Sequence, residues 1–536
     1  IEEYGMEPFI NQCKESVWKY KGMWEDFSDT VGFWADMDDP YVTYDDNYIE
    51  SEWWALKEIW NKGLLYKGFK IVPYCPRCGT PLSSHEVAQG YKDVKERSAI
   101  AKFPVKGEDA YILAWTTTPW TLPSNVALCV NPDETYVKVK MKEDGTVYYM
   151  AQALCDTVLG EGTYDVLETF VGKDLEYKEY EPLFDYAVAT CEKQHKKAFY
   201  IVCDNYVTLT DGTGVVHIAP AFGEDDSKVG RKYDLPFVQL VDGKGEMTKE
   251  TPWAGMFCKK ADPEVLKALR ESGLLFSAPV FEHSYPHCWR CATPLIYKPV
   301  SSWFVSVTKI KPRLLELNQQ INWIPGNVKD GQFGKWLANA RDWSISRNRF
   351  WGSPIPVWVS DDPKYPRVDV YGSLEELKAD FGDYPRDKDG NINMHRPWID
   401  NLVRVNPDDP TGKSHMHRIS DVLDCWFESG SMSFAQFHYP FENKEKFEQH
   451  FPADYIVEYI GQTRGWFYLL HVMATALFDR PAFKNVICHG IVLGSDGQKM
   501  SKHLRNYPDV NGVFDKYGSD AMRWFLMSSP ILRGGN

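Results

Sequence analysis

Two pairs of cysteines have the spacing of a metal site. Cys75 and Cys78 form one Cys-x-x-Cys pair, and Cys288 and Cys291 form another. Two thiolates at this spacing lie on one tight turn, and two such turns complete a tetrahedral Zn²⁺ site with four sulfur ligands. Because no ligand position would then stay open for water or substrate, we expect a structural zinc rather than a catalytic one.

The two cysteine pairs are far apart in the chain, so a shared site requires the segment between them to fold by itself and to return its ends together. Thr80-Pro81-Leu82 follows the first pair, and Thr293-Pro294-Leu295 follows the second. This repetition favours two halves of one zinc knuckle. The alternatives are no metal at all, or two separate sites completed by the nearby histidines His85, His283 and His287.

A second group of residues suits the charge of a polyphosphate. Lys499-Met500-Ser501-Lys502-His503 follows a glycine-containing run, Gly494-Ser495-Asp496-Gly497-Gln498. Lysine is a compact cation on a flexible stem, and two lysines on a mobile loop can stabilise negative charge that develops on phosphate groups. Considered alone, the same residues are equally typical of a solvated basic turn.

The composition is that of a large globular chain. In 536 residues, 43% are hydrophobic and 25% are charged, which excludes general disorder and indicates roughly three or four domains. The net charge of −15 excludes a chain coated with basic residues, although a local basic stripe would suffice for a nucleic-acid partner. Eight of the twelve cysteines are scattered singly, which is typical of a reducing compartment, and we expect a cytoplasmic protein.

The sequence contains no membrane-spanning pattern. No uninterrupted apolar run reaches the roughly 18 residues that a span requires. The most apolar stretch, residues 465–478, follows Arg464 and predicts a buried helix. Ile1 is neither an initiator Met nor the start of a signal peptide, so we expect a soluble piece of a longer protein with no membrane partner.

The pattern of apolar residues changes along the chain. Residues 53–60 have the periodicity of a helix, and Asn61-Lys62-Gly63 predicts its end. From about residue 98 to residue 281, short β-rich runs alternate with polar turns. This region ends in a predicted helix that Asp262 caps and Gly273 stops.

After residue 300, predicted strands and helices alternate. Residues 360–410 are rich in Asp, Pro and Gly, which indicates a surface insertion. Farther on, strands at 455–459 and 486–493 flank a helix at 466–478. Such a β-α-β arrangement predicts that the two strands are parallel.

Several motifs together resemble one enzyme family. The lysine loop resembles the Lys-Met-Ser-Lys-Ser signature of class I aminoacyl-tRNA synthetases, with His503 in place of the final Ser. Other runs, spread in the family's order over essentially the whole chain, are similar to the isoleucyl-tRNA synthetases in their eukaryote-like branch. These runs are residues 115–125, 212–226, 346–352, 424–430 and 464–467.

The resemblance implies an α/β fold, in which a Rossmann-type class I catalytic domain, incomplete here, contains an inserted β-rich editing domain and a zinc knuckle. The implied parts are a catalytic-domain part with the first zinc knuckle (1–97), the editing domain (98–281), the second zinc knuckle with the return to the catalytic domain (282–359), a surface insertion (360–420), and the second half of the Rossmann domain with the lysine loop (421–536). The editing domain would thus lie between the two halves of the knuckle.

The resemblance implies a site for synthesis. There isoleucine and ATP, with Mg²⁺, form an aminoacyl adenylate, and the aminoacyl group then passes to the terminal adenosine of the tRNA. The matching residues are Glu458 and Gln462 at the ammonium group and the adenylate, Trp426 and Trp466 around the aliphatic pocket, Lys499 and Lys502 at the phosphates, and His489 and Gly490 near adenine and ribose.

The resemblance also implies a hydrolytic site in the inserted domain. One methylene group is worth only about 1–3 kcal/mol in a pocket, and isoleucyl-tRNA synthetase is the standard example of this limit on rejecting valine. The family therefore hydrolyses mischarged valyl-tRNA. The matching residues are Asp226 as the anchor of the ammonium group, His217 as a filter of side-chain size, Thr116, Thr117, Thr118 and Thr121 around the terminal ribose and a water molecule, and Asn125 beside them.

Two features of the family are missing from the sequence. No His-x-Gly-His motif occurs near the N-terminus, and the chain stops at Asn536, where the family continues into a helical anticodon-binding domain. We therefore expect a fragment of a monomeric enzyme whose partners are isoleucine, ATP and the tRNA for isoleucine. The alternatives are a valyl-tRNA synthetase and a non-catalytic, zinc-containing RNA-binding module.

Overall fold

The structure, a computed structural model, describes residues 3–501 and 504–535. The chain forms two compact units. The first comprises Ile1–Gly68 and Ser302–Asn536, and the second comprises Phe69–Ser301. The second unit includes the whole segment that the sequence predicts as the editing domain, together with both cysteine pairs.

Helices begin the first unit. They are α1 (Met6–Trp18), α2 (Lys21–Val31) and α3 (Asp46–Asn61). Ile49, Trp53 and Leu56 recur at helical spacing and are completely buried, which gives α3 an apolar face. Just beyond the helix, Gly63 adopts the left-handed conformation with φ +66°, and the predicted helix end is confirmed.

The second unit consists mainly of strands. Strand β1 (Leu65–Cys75) leads into it. The strands that follow are β2 (Thr80–Pro81), β3 (Tyr91–Arg97), β4 (Ala99–Pro104), β5 (Tyr111–Thr116), β6 (Ala127–Val130), β7 (Thr135–Met141), β8 (Val147–Ala151), β9 (Tyr164–Val171), β10 (Tyr200–Cys203), β11 (Val215–Ile218), β12 (Leu275–Ser277) and β13 (Val280–Pro286). Its helices are α4 (Ser84–Val87), α5 (Cys155–Leu159), α6 (Val188–Lys193), α7 (Glu224–Lys232) and α8 (Cys258–Glu271), with short 3-10 helices at Pro119–Ser124, Gln152–Leu154 and Gly172–Leu175.

Most of these strands form one mixed sheet in the order β10-β6-β11-β5-β8-β7-β9, with β4 paired to β5 and β12 paired to β4. Strands β3 and β13 form an antiparallel ribbon. Strands β5 and β11 are parallel neighbours, with Trp115 opposite Val216. The residues that follow these two positions, Thr116 and His217, therefore lie side by side at the same end of the sheet.

Helix α8 differs from the prediction at its start. Its first residue is Cys258, so Asp262 lies inside the helix and does not cap it. The buried Cys258 and Ala261 extend the apolar face by one turn, and their burial outweighs the capping signal. The Asp262 carboxylate instead accepts a hydrogen bond from the backbone N–H of Trp120 at 2.8 Å. The predicted stop is confirmed, since α8 ends just before Gly273, which has φ +74°.

Strand β14 (Ile296–Val305) leads back into the first unit. The strands there are β15 (Asn322–Ile324), β16 (Trp343–Ser344), β17 (Ser346–Arg347), β18 (Val357–Ser360), β19 (Val368–Val370), β20 (Arg404–Val405), β21 (His415–Arg418), β22 (Val422–Leu423), β23 (Ala453–Tyr459) and β24 (Phe483–His489). The helices are α9 (Val307–Asn318), α10 (Gly334–Ala338), α11 (Leu374–Phe381), α12 (Cys425–Gly430), α13 (Met432–Ala435), α14 (Lys444–His450), α15 (Trp466–Phe478), α16 (Val510–Tyr517) and α17 (Ser519–Ser528), with short helical turns at Lys329–Phe333, Trp398–Asn401, Ile460–Arg464 and Pro530–Arg533.

The predicted β-α-β arrangement is confirmed. Strands β23 and β24 pair in parallel, α15 connects them, and the sheet order is β15-β24-β23. The second strand, Phe483–His489, begins and ends earlier than the predicted 486–493. Residues 467–476 of α15 are all buried, as the apolar run predicts. In the described part of the chain, no helix is long and apolar enough to cross a membrane.

The stretch rich in Asp, Pro and Gly carries a separate antiparallel sheet in the order β19-β18-β21-β20. Trp358, Tyr371 and Met416 from this region form a buried cluster that also includes Trp53 of α3. The insertion is therefore attached to the rest of the first unit by its own apolar contacts.

Candidate functional site

A chain of side-chain hydrogen bonds occupies the shared end of β5 and β11. After Thr116 the backbone turns into the 3-10 helix Pro119–Ser124. Thr118 Oγ1 lies 3.3 Å from Thr116 Oγ1 and 3.2 Å from Thr121 Oγ1. Thr121 Oγ1 lies in turn 2.8 Å from Nε2 of His217 on β11. The structure therefore brings three of the four threonines together with His217.

The imidazole of His217 is neutral, and Asn125 determines its tautomer. The Asn125 amide nitrogen donates to Ala127 O at 2.9 Å and lies 3.3 Å from His217 Nδ1, while its oxygen accepts from Tyr180 OH at 2.5 Å. Because the amide nitrogen can only donate, Nδ1 accepts and the ring proton lies on Nε2, where it is donated to Thr121. Burial lowers the pKa of His217 to about 4.

Asp226 lies in the first turn of α7, shortly after the strand that carries His217. Its Oδ2 accepts the backbone N–H of Ala219 at 2.9 Å. Burial raises the pKa of this carboxyl to about 7, and the hydrogen bond from Ala219 opposes the shift. Gly223 leaves room for the carboxylate, since a Cβ at that position would lie 2.8 Å from the Asp226 carboxyl carbon.

An aromatic contact joins the two sequence blocks. Phe222, in the loop before α7, packs edge-on against Trp120 of the 3-10 helix, with 5.1 Å between the ring centroids. In the same region Thr117 is half-buried, and no described residue forms a hydrogen bond with its side chain. The Thr117 hydroxyl is therefore free to contact a bound ligand or a water molecule.

Two tyrosines near these residues carry no signal in the sequence. Tyr180 is buried and completes the hydrogen-bond chain through Asn125, which lies 55 positions away. The buried hydroxyl of Tyr206 has no hydrogen-bond partner within the described ranges. Burial and the nearby Asp226 carboxylate raise the pKa of Tyr206. Both tyrosines become recognisable only when distant segments have been brought together by the fold.

The four cysteines of the two pairs converge. Their sulfur atoms all lie within 4.8 Å of one another, and Cys291 Sγ is 3.5 Å from Cys75 Sγ and 3.7 Å from Cys78 Sγ. Tetrahedral zinc with Zn–S bonds of about 2.3 Å separates its sulfur ligands by about 3.8 Å. The repeated leucines, Leu82 and Leu295, are buried in the same cluster. The number, type and spacing of the donor atoms therefore fit Zn²⁺.

The two cysteine pairs lie on equivalent turns. Gly79 N–H donates to Cys75 O at 2.9 Å, and Ala292 N–H donates to Cys288 O at 2.8 Å. The residue after the second cysteine is left-handed in both turns, with φ 66° at Gly79 and φ 57° at Ala292. This conformation costs an alanine roughly 1–2 kcal/mol and persists only where the surroundings impose it.

In the first unit, the lysine loop approaches the end of β23. Lys499 Nζ lies 3.0 Å from Tyr459 OH and 4.4 Å from the centre of the Tyr459 ring. Asn506 closes the loop by donating to Asp496 at 3.2 Å. Lys502, the other lysine of the predicted pair, lies outside the described residues.

Glu458, the residue before Tyr459, is half-buried. Its Oε2 accepts the Tyr459 N–H at 3.3 Å, and no cationic side chain pairs with it in residues 3–501 or 504–535. Tyr459 lies opposite His489 in the parallel register of β23 and β24, so both strand ends share one edge. There His489 Nδ1 donates to Gly490 O at 2.8 Å, and Gly490 N–H donates to Ile531 O at 2.7 Å.

The start of α15 brings Gln462 and two tryptophans together. Gln462 Oε1 accepts the backbone N–H of Trp466 at 2.7 Å, and Trp466 Nε1 donates to Ser429 O at 3.0 Å. A Cβ on Gly465 would lie 2.5 Å from Gln462 Oε1 and 3.1 Å from the Trp426 ring. Glycine at this position therefore permits the close approach of both side chains.

A buried ion pair positions the helix that carries Trp426. Asp424 caps α12 by accepting the Trp426 N–H at 3.2 Å, and its Oδ2 lies 3.1 Å from Arg347 Nη2 and 3.0 Å from Trp343 Nε1. Both charged side chains are almost inaccessible to solvent. Removal of one partner would leave a buried unpaired charge, at a cost of about 3–5 kcal/mol.

The profile of one protein family matches the whole chain. The family is described as tRNA synthetases class I (I, L, M and V), and the match covers residues 1–536. The chain belongs to the class I tRNA synthetases. The predicted family is thereby confirmed, and so is the predicted α/β fold class with an inserted β-rich domain.

The curated relatives of this class I synthetase include bacterial isoleucine–tRNA ligases. The chain is 63% identical to that of Bifidobacterium longum over 100% of this chain and 51% of the relative. It is 54% identical to that of Clostridium acetobutylicum over 99% of this chain and 50% of the relative. The chain thus spans about half the length of the curated relatives it matches.

Among solved structures, a ternary complex of Agrobacterium radiobacter K84 LeuRS with tRNA and LeuAMS aligns over 94% of this chain and 59% of that chain, with 16% identity and a TM-score of 0.39.

Replacing Tyr180 tests the hydrogen-bond chain of this synthetase. We expect Tyr180→Phe to lower the free energy of unfolding by about 1–3 kcal/mol, because the buried Asn125 oxygen loses its donor. The freed amide can then rotate, so we also expect the His217 proton to be shared between both ring nitrogens. Chemical denaturation and ¹⁵N NMR of the imidazole measure the two effects.

Tyr136→Phe is the matched control. Tyr136 is equally buried and donates to Gly214 O at 2.6 Å, but it lies outside the hydrogen-bond chain of Asn125 and His217. We expect this variant to lose a similar amount of stability and to keep the single Nε2–H tautomer. If Tyr180→Phe also kept that tautomer, the assignment of Asn125 would be wrong.

Proposed function

We propose that this chain is part of an isoleucine–tRNA ligase. The observation that carries the proposal is its 63% identity, over its full length, to a curated isoleucine–tRNA ligase. Such an enzyme attaches isoleucine to its tRNA through an aminoacyl adenylate and consumes ATP, which binds with Mg²⁺. We further propose that the protein is monomeric and cytoplasmic.

In the proposed synthetic site, the first unit binds the amino acid. Glu458 binds the ammonium group of isoleucine, since no described cation competes for its carboxylate. The aliphatic side chain lies between Trp426 and Trp466, and Gln462 contacts the adenylate. The arrangement of these residues around Gly465 supports a pocket at this point.

ATP binds at the neighbouring strand end in the same proposal. His489 and Gly490, at the end of β24, lie near adenine and ribose. Lys499 exchanges its contact with Tyr459 for the phosphates, and Lys502 joins it there. Both cations stabilise the charge that develops as pyrophosphate leaves.

ATP–pyrophosphate exchange by the full-length protein tests this assignment. We expect isoleucine to be preferred over valine by about 10- to 200-fold, the range that one methylene group permits and for which this enzyme is the standard example. We expect Glu458→Gln to lower kcat/KM for isoleucine by about 10- to 100-fold, because a charge-assisted hydrogen bond is lost. Glu445→Gln, an exposed carboxylate of α14, serves as the control.

The exchange assay also separates the alternatives. A preference for valine would identify a valyl-tRNA synthetase. Binding of tRNA without any amino-acid-dependent exchange would indicate a non-catalytic RNA-binding module. Equal kinetics of Glu458→Gln and the control would contradict the role of Glu458.

We propose that the second unit hydrolyses valyl-tRNA. Asp226 anchors the ammonium group of the misattached valine, and Thr117 contacts the terminal ribose or the attacking water molecule. His217 is neutral, and both its ring nitrogens are used inside the hydrogen-bond chain, so it limits side-chain size by its shape and does not act as a base. The residues that position it are Thr116, Thr118, Thr121 and Asn125.

The raised pKa of Asp226 makes the proposed editing depend on pH. The carboxyl is mostly protonated below about pH 7 and ionises as the pH rises through that value. The ammonium anchor therefore gains its charge in this range. We expect kcat/KM for valyl-tRNA hydrolysis, corrected for the uncatalysed reaction, to increase between about pH 6 and pH 7, below the range in which the α-amino group of the substrate loses its own proton.

Two variants of neighbouring residues define the origin of that pH dependence. Asp226→Asn removes the ionisable group, so we expect slower hydrolysis with a flat profile. Asp225→Asn changes an exposed carboxylate in the same helical turn and should keep the rise, moved to lower pH because the charge of Asp225 helps to raise the pKa of Asp226. A pH profile that stays the same in Asp226→Asn would show that another group titrates.

We propose that the four paired cysteines bind one structural Zn²⁺. We expect elemental analysis to find about one zinc per chain, and Cys288→Ser to lose both the metal and stability, because zinc binding and folding are coupled. Cys191→Ser, which changes a buried thiol elsewhere in the second unit, should keep the zinc. A metal-free protein with an unchanged unfolding midpoint would contradict the proposal.

A further inference from the structure

An open cleft of about 490 Å³ lies in the first unit, beside the helical turn Ile460–Arg464. One wall comes from residues 327–339 and the other from Ile460 and Arg464. The polar groups that line it are Asn327, Gln332, Lys335, Trp336, Asn339 and Arg464. None of the residues lining the cleft is acidic, although the chain as a whole carries a net charge of −15.

The two cations of the cleft are uncompensated. Lys335 and Arg464 are exposed, and in the described ranges neither side chain forms an ion pair or a hydrogen bond. The Arg464 guanidinium lies over the Trp336 ring, 5.5 Å from its centre. By contrast Arg313, elsewhere in the same unit, pairs with both Asp479 and Glu316.

The indole of Trp336, one of the residues lining the cleft, carries a donor that is unpaired in the described part of the chain. Its Nε1 is buried and has no acceptor among the residues that the structure describes. A buried donor without a partner costs about 1–3 kcal/mol, so such groups are usually satisfied. The side-chain amides of Asn327 and Gln332 are exposed and have no hydrogen bond to the protein within residues 3–501 and 504–535, so they are open to a ligand or to solvent.

The chemistry of the cleft selects an oxyanion. It offers two exposed cations and exposed side-chain amides, and none of its lining residues carries a carboxylate. An arginine guanidinium binds a phosphate group through two parallel hydrogen bonds, and a lysine adds a point charge. Because the cleft is open to solvent, the phosphate can belong to a long polymer.

The position of the cleft connects it with the synthetic site. Ile460 and Arg464 are the two ends of the helical turn whose middle carries Gln462. The opposite wall begins a few residues after β15, and Ile460 directly follows β23. Both strands belong to the parallel sheet, and α/β folds bind their ligands beyond the carboxyl ends of such strands.

We propose that this cleft binds a backbone phosphate of the tRNA close to its aminoacylated end. The inference rests on the proposed function, because that function identifies tRNA as the phosphate-bearing ligand. It adds two tRNA-binding residues, Lys335 and Arg464, that lie outside the amino-acid and ATP sites.

Measurement of tRNA affinity by the full-length protein tests the proposal without relying on catalysis. We expect Lys335→Gln and Arg464→Gln each to raise the Kd for tRNA by about threefold to tenfold and to reduce the slope of log Kd against log salt concentration by about 1. Lys413→Gln, which changes an exposed lysine of the insertion that pairs with no acidic side chain in the described part of the chain, should leave both quantities unchanged. Circular dichroism confirms that the variants are folded.

Three results would overturn the proposal. Unchanged tRNA affinity and salt slope in both variants would exclude the cleft from tRNA binding. Calorimetric binding of inorganic phosphate that Arg464→Gln abolishes, without any effect on tRNA, would identify a site for free phosphate. Loss of ATP–pyrophosphate exchange with unchanged tRNA affinity would place the cleft in adenylate formation. If the unmodified protein showed no exchange, the proposed function would fail, whereas the affinity measurement would still decide on the cleft.

Discussion

Parallel pairing of strands determines where both candidate sites lie. In the second unit, the pairing of β5 with β11 places Thr116 beside His217, and in the first unit the register of β23 and β24 places Tyr459 opposite His489. These residues lie at or next to the carboxyl ends of their strands, and α/β folds bind ligands beyond such strand ends. Strand pairing brings segments that are distant in the sequence close together, so each segment contributes to the site through the side chain at its strand end.

Burial then decides what each of these groups can do. A charged imidazole would be costly at the position of His217, so the ring stays neutral and contributes shape and one directed proton. Asp226 is also shielded, but a backbone N–H and the start of α7 stabilise its anion, and its pKa remains near neutrality. One strand end thus carries a neutral imidazole and, a few residues later, a carboxyl that ionises near neutral pH.

Signals that depend on neighbouring residues predicted much of the fold, and long-range contacts account for what they missed. The end of α3 and the β23-α15-β24 unit follow from local periodicity and turn residues. The capping signal at Asp262 was wrong because burial of the preceding turn outweighs a cap. Cysteine spacing indicated metal ligands, but their convergence depends on the whole second unit. Tyr180 lies 55 positions from Asn125, and no local pattern marks it.

In the proposed hydrolytic site, a chain of hydrogen-bonded side chains is in place before a ligand binds, and the charge of the Asp226 carboxyl depends on pH. A carboxyl with a pKa near 7 is about half ionised at neutral pH, so it weakens ammonium binding only about twofold relative to a full anion. Contacts made only in the transition state raise kcat, whereas substrate binding by the Asp226 carboxylate lowers KM and so raises kcat/KM. The chain from Tyr180 to Thr118 is already hydrogen-bonded, so its donors need no reorganisation when a ligand enters. A partly ionised anchor therefore costs little binding at neutral pH, while the fixed hydrogen-bond chain keeps the surrounding side chains in place.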